Sequence, residues 1–227
     1  FLFQQYDLLS AGVVDGGGRL VGVITVDDIL DVIEEEAEED LMRLGGVGES
    51  DLNEPVMRAT RSRFPWLLIN LGTAIVASVV IAFFDTTIEE IVALAVLMPI
   101  VASMGGNAGT QTLTITVRAL ATREIAAANV IRLLNREVLV SLANGAALAL
   151  AIGIVAALWF DDPGLGGVLA AAMIINMVVA GLAGMLVPLG LHRVGVDPAL
   201  AATVFVTTVT DVVGFFSFLG LGALLLV

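Results

Sequence analysis

Pro99-Ile100-Val101-Ala102-Ser103-Met104-Gly105-Gly106-Asn107-Ala108-Gly109-Thr110-Gln111-Thr112-Leu113-Thr114 lies inside a long apolar segment, yet it carries amides, hydroxyls, glycines and a proline. On a helix, Asn107, Thr110, Gln111 and Thr114 fall at i, i+3, i+4 and i+7, so their polar groups share one stripe. A polar stripe on a membrane helix faces either other helices or water. The glycines let another backbone or a hydrated ligand come close, and Pro99 loosens the hydrogen-bond ladder one turn earlier, which predicts an interrupted span. A helix–helix contact built on small residues is the competing reading.

Outward from that stretch, the chain is 58% hydrophobic with a mean hydropathy of +1.00, too apolar for a soluble domain of 227 residues. Most of the excess lies after residue 65, in runs of about 20 residues, the length that crosses a hydrocarbon layer of about 30 Å. Spans are expected near 66–84, 91–117, 138–160, 167–191 and 198–227. The absence of cysteine excludes disulfides, thiol catalysis and cysteine-ligated metals, and a single histidine, His192, leaves little room for imidazole chemistry or a zinc site. No nucleophile–base pair is visible, so the chain is not read as an enzyme. A net charge of −13 disfavours nucleic acid as a partner and favours cations.

Residues 1–30 read as the tail of a small α/β unit. Gly12-Val13-Val14-Asp15-Gly16-Gly17-Gly18-Arg19-Leu20-Val21-Gly22-Val23-Ile24-Thr25 is strand, glycine-rich turn, strand. Val26 then opens a helix for which Thr25 is the cap. So short a stretch cannot bury a core alone, and a chain beginning at Phe1 without an initiator Met reads as part of something longer. From Asp27 to Asp40, nine of fourteen residues are acidic and none is basic, while Ile29, Leu30, Ile33, Ala37, Leu41 and Leu44 supply a helical apolar stripe. Like charges at helical spacing destabilise by a few tenths of a kcal/mol per pair. Beside a membrane domain, divalent cations bound by these carboxylates are the expected offset, with a solvated acidic face as the plainer alternative.

The chain has no lysine, and its arginines fall in the N-terminal region or in the loops around 118–136 and 192–197. The remaining loops carry Asp85, Glu89, Glu90, Asp161 and Asp162 instead. Five spans place those acidic loops on one side, opposite every arginine, so the N-terminal part is expected in the cytoplasm and Val227 outside. Only one acidic residue is expected well within a span: Asp211, in Thr207-Thr208-Val209-Thr210-Asp211-Val212-Val213-Gly214. A lone carboxylate there costs at least about 2.5–3.5 kcal/mol. It should therefore face a wet cavity, hold a proton or bind a cation, with Thr207, Thr208 and Gly214 on the same face. One carboxylate does not neutralise a divalent ion, but two copies about a two-fold axis would. Carboxylates, hydroxyls and amides at water-bridged distance suit hydrated Mg²⁺ and suit zinc or copper poorly.

Met98-Pro99-Ile100, Gly105-Gly106-Asn107-Ala108-Gly109-Thr110-Gln111 and Arg118-Ala119-Leu120-Ala121 together resemble the second span of the MgtE family of magnesium channels. Val194-Gly195-Val196-Asp197-Pro198-Ala199 and Thr210-Asp211-Val212-Val213-Gly214 are similar to that family's last span and its lead-in. Leu20-Val21-Gly22-Val23-Ile24-Thr25-Val26-Asp27-Asp28 is similar to the end of a CBS domain, and residues 28–44 resemble the family's acidic plug helix.

The resemblance implies an all-α polytopic membrane domain of five transmembrane helices (66–227). It is preceded by the tail of an α/β CBS domain (1–30) and an acidic connecting helix and linker (31–65). It implies a homodimeric Mg²⁺ channel of the bacterial plasma membrane, embedded in the lipid bilayer and binding no nucleic acid. Asp211 would be the selectivity carboxylate with Asn107 and Thr110 nearby in the pore wall, and Thr207 and Gly214, one turn from Asp211 on either side, would line the same face. Asp28, Asp31, Glu36, Glu39 and Asp40 would hold regulatory Mg²⁺, and Leu44 would lie at the cytoplasmic gate. Ions bridging the acidic helix would hold the pore shut when cytoplasmic Mg²⁺ is high, and carboxylate repulsion would open it when Mg²⁺ falls. A proton- or sodium-coupled carrier using Asp211 is the alternative, motivated by the interrupted second span.

Overall fold

The computed structural model describes residues 2–45, 54–125 and 129–227, apart from the side chains of Gln4, Asp40, Leu41 and Leu200. In chain order it runs α1 (Leu2–Tyr6), β1 (Ser10–Val14), β2 (Leu20–Thr25), α2 (Val26–Leu44), α3 (Val56–Ala82), α4 (Asp85–Glu90), α5 (Val92–Ala121), α6 (Val130–Phe160), α7 (Pro163–Arg193) and α8 (Pro198–Leu225). Five of these helices, α3 and α5 to α8, are long and apolar enough to cross a membrane. A helix satisfies its backbone hydrogen bonds within itself, which hydrocarbon demands of any lone spanning segment.

At the N-terminal end, β1 and β2 pair antiparallel with Ser10 opposite Thr25. The turn between them is tied by Asp15, whose carboxylate accepts from the Gly17 and Arg19 amides at 2.9 Å each. Gly18 takes φ +76 there, a conformation that glycine adopts without strain. Val13, Val14, Leu20, Val21 and Val23 on this ribbon are all exposed.

The two last spans begin with the same device. Asp162 caps α7 by accepting from the Gly164 amide at 2.8 Å, and Asp197 caps α8 by accepting from the Ala199 amide at 2.9 Å. Each is followed by proline in the first turn, where its missing N–H has no helical partner to lose.

α7 is the most buried of the spans and α3 the least, so the bundle is assembled around α7. Small residues set its distances. A Cβ placed on Gly166 of α7 would fall 2.4 Å from the Gly153 carbonyl oxygen of α6, and one on Gly184 would fall 2.6 Å from the Gly109 carbonyl oxygen of α5. Between lipid-soluble helices there is little hydrophobic gain, so close backbone approach supplies the van der Waals contact that holds them. Leu94, Leu97 and Val101 of α5 pack with Leu165, Leu169 and Ala172 of α7 and with Phe218 and Leu219 of α8 to form the main core.

Three boundaries differ from the sequence expectation. α5 is a continuous helix through Pro99 and Gly105-Gly106, not an interrupted span. Gly105 and Gly109 are buried against α7 and α8, and packed neighbours of this kind keep a proline-bearing membrane helix intact. α6 begins at Val130 instead of near 138, which brings Arg132, Arg136 and Glu137 into the helix. α3 begins at Val56 and carries Arg58, Arg61 and Arg63 in its opening turns, in place of a polar connector.

The glycine contacts give a paired test. Gly166→Ala should lower stability by about 1–3 kcal/mol because backbone, not a flexible side chain, blocks the new methyl. Gly72→Ala, on α3 with nothing within 4 Å, should be neutral or stabilising by up to about 1 kcal/mol. Thermal unfolding of both variants in detergent reads the difference, and equal midpoints would contradict this packing.

Candidate functional site

Burial along α5 alternates with helical period. Gly105, Gly109, Thr112, Leu113, Thr116 and Val117 are buried. Ser103, Asn107, Thr110, Gln111 and Thr114 are exposed and form one uncovered polar face. α8 packs beside α5, with Gly109 against Val206 and Thr210. On α8, Thr207 is exposed and Asp211 is half-buried. Asp211 has neither a hydrogen-bond nor an ion-pair partner among the described residues.

The hydroxyls on these two helices are oriented by their own backbone. Thr110 Oγ1 donates to the Gly106 carbonyl at 2.8 Å, and Thr114 Oγ1 to the Thr110 carbonyl at 2.9 Å. Thr207 Oγ1 donates to the Thr203 carbonyl at 2.9 Å. A hydroxyl has one proton to give, so each presents only lone pairs outward. Each helix thereby turns acceptor oxygens outward, and on α8 the Asp211 carboxylate lies one turn from Thr207. Acceptors of this kind suit the outward-pointing hydrogens of a hydrated cation.

The other sequence-expected residues are distributed differently. Gly214 is buried against the side chain of Asn176 on α7, so it belongs to the packing face and is not part of the uncovered one. Leu44, the last residue of α2, packs beside the Leu113, Val117, Ala199, Ala202 and Val206 cluster. Its carbonyl accepts from Thr203 Oγ1 at 3.2 Å. Next to it, Arg43 pairs with Glu39 of its own helix and with the α8 cap Asp197. The end of α2 is thereby fastened to the first turns of α8.

Asp28, Asp31 and Glu36 are exposed along α2 and Glu39 is half-buried, whereas the side chain of Asp40 lies outside the described residues. Among the described residues no three carboxylate or imidazole groups converge as a metal site. Asp28 is engaged locally: its carboxylate accepts from the Thr25 hydroxyl and from the Thr25 amide at 2.8 Å. Those two bonds, the hydroxyl first, hold its carboxyl below the ordinary 3.8.

Two polar residues escape a reading of the sequence alone. Hydropathy puts Glu137 in a loop, but in α6 its Oε1 accepts from Thr112 Oγ1 of α5 at 2.6 Å. Glu137 therefore belongs to the opening turns of α6, beside Arg132 and Arg136, and Asp211 stays the acidic residue placed midway along a span. Asn176, in the middle of α7, is fully buried. An amide flanked on both sides by apolar residues is the available signal for it.

The matches to known proteins agree with this geometry. A family model described as a divalent cation transporter, MgtE, matches residues 98–221. The magnesium transporter MgtE of Bacillus subtilis is 34% identical over 221 residues, covering 97% of this chain and 49% of that protein. Its namesake from Enterococcus faecalis is 38% identical over 208 residues, covering 92% and 46%. The one from Thermus thermophilus is 38% identical over 229 residues, covering 99% and 50%. The chain thus spans about half the length of the curated relatives it matches.

Proposed function

The chain belongs to the MgtE family of divalent cation transporters, and from that premise we propose that it forms the conducting part of a Mg²⁺ channel. Two copies meet across the uncovered face of α5 and α8, in a bacterial plasma membrane, with α2 on the cytoplasmic side and Val227 outside. The observation that carries this reading is the uncovered face of α5, with its outward-turned hydroxyl lone pairs and its amides, on the helix packed next to α8 and its Asp211, a carboxylate with no partner among the described residues. At membrane depth such a face needs water or ions against it. Mg²⁺ gives up its waters reluctantly. Oxygens that accept from those waters, with two carboxylates across a dimer axis, balance its charge without stripping its shell. The curated relatives are named as magnesium transporters, which supports the choice of ion.

Residues 1–30 are read as the closing hairpin of a cytoplasmic CBS domain and α2 as a plug. Asp28, Asp31, Glu36, Glu39 and Asp40 are its regulatory carboxylates, and Leu44 is its seat at the cytoplasmic mouth. High cytoplasmic Mg²⁺ screens the acidic helix and lets it stay docked. Low Mg²⁺ leaves like charges repelling one another, so the docked state loses population. The ion pair between Arg43 and Asp197 and the bond from Thr203 to Leu44 support a docked state of this kind. The coupled-carrier alternative rests on an interrupted second span, and α5 is continuous.

Asp211→Ala should reduce Mg²⁺ influx into proteoliposomes by at least about tenfold, equivalent to losing about 1.4 kcal/mol of cation attraction. Its insertion and unfolding midpoint should be unchanged. Wild-type influx in that variant would remove the pore assignment. Neutralising Glu36, Glu39 and Asp40 together, or changing Arg43→Ala alone, should leave the channel conducting when the cytoplasmic face is bathed in high Mg²⁺. Unaltered inhibition in both variants would remove the plug.

A further inference from the structure

The proposed conduit is lined by α5 and α8, yet the residue that spaces those helices lies on neither. Asn176 of α7 is fully buried where the three helices meet. Its Nδ2 donates to the Val101 carbonyl of α5 at 2.8 Å. A Cβ built on Gly105 of α5 would stand 2.2 Å from that nitrogen, and one built on Gly214 of α8 would stand 2.7 Å from it. One amide therefore fills the notches left by two glycines on two different helices. Its Oδ1 has no hydrogen-bond partner among the described residues.

Burying an amide with an unmatched acceptor is costly, and an apolar side chain of similar size would avoid that cost. What an apolar side chain does not supply is direction. The bond to Val101 fixes the amide plane along α5, and the glycine notches accept only a flat group of this width. A buried polar group used in this way specifies register more than it adds stability.

The position matters because Gly214 lies one turn beyond Asp211 and Gly105 half a turn before Asn107. A shift of α5 against α8 at this level would move the acceptor face relative to the carboxylate. We propose that Asn176 is a positioning residue for cation selection: it keys the spacing of α5 and α8 and so sets the width of the conduit beside Asp211. This rests on the pore reading above and adds to it the element that holds the walls at a distance suited to hydrated Mg²⁺. A loosened spacing admits cations that fit differently, such as Ca²⁺, without removing the carboxylate that attracts them.

The test uses the whole chain and three variants, Asn176→Ala, Gly105→Ala and the double variant. Removing the amide makes room for the methyl, so the double variant should unfold at least about 3 °C above the midpoint expected from adding the two single effects. In proteoliposomes Asn176→Ala should still pass Mg²⁺, but its Mg²⁺-to-Ca²⁺ influx ratio should fall by about tenfold, since a small misplacement of a supporting group degrades a site built to fit. Additive midpoints would overturn the keyed contact, and an unchanged ion ratio would overturn the selective role. A wild-type chain that passes no Mg²⁺ would overturn the pore reading and the width role with it. The midpoint comparison needs no flux, so the two failures are told apart.

Discussion

A carboxylate at membrane depth must meet water, a proton or a cation, because hydrocarbon leaves it uncompensated at a cost of at least about 2.5–3.5 kcal/mol. Asp211 is in that position, and so, less severely, is the row of threonine and amide side chains on the exposed side of α5. The remaining architecture can be understood as the means of keeping that face assembled and uncovered. Threonines that spend their protons on their own helix do not seek partners in neighbouring helices. They satisfy their protons within the helix and leave acceptors facing out.

The opposite face of α5 is where the bundle is held. Glycines at Gly105, Gly109, Gly184 and Gly214 let α5, α7 and α8 approach until backbone and small side chains touch. This is the contact that substitutes for a hydrophobic driving force inside a membrane. α7 has almost no polar stripe of its own and is buried on most sides, so it acts as the axis. The polar contacts it does carry are few and specific. Asn176 reaches α5, and beside Gly181 of α7 the Glu137 carboxylate ties α6 to Thr112 of α5.

The number and order of spans can be read from hydropathy because five apolar runs of membrane length are separated by charged loops. Their ends cannot, because helices continue into arginine-bearing flanks where backbone bonding persists after apolarity stops, as at Arg58 to Arg63 and Arg132 to Glu137. The polar stripe of α5 is legible because helical spacing alone brings Asn107, Thr110, Gln111 and Thr114 together. Pro99 misleads because a proline's effect depends on neighbours that a single sequence does not reveal. Spacing from Asp211 puts Gly214 on the same face as that carboxylate, whereas packing turns it toward Asn176. The docking of Arg43 on Asp197 joins residues 154 positions apart, and no local pattern announces such a pair.

The absence of cysteine from the chain makes a direct measurement possible. Thr114→Cys, Thr207→Cys and Leu150→Cys, the last at an exposed apolar position of α6, each as the only thiol, can be exposed in proteoliposomes to a charged, membrane-impermeant thiol reagent. If the α5–α8 face lines an aqueous path, cysteines at 114 and 207 react and Mg²⁺ slows them, while the one at 150 stays unreactive. Thiols at 114 and 207 as inert as the one at 150 would mean that this face is sealed in lipid or dry protein, and would contradict the account.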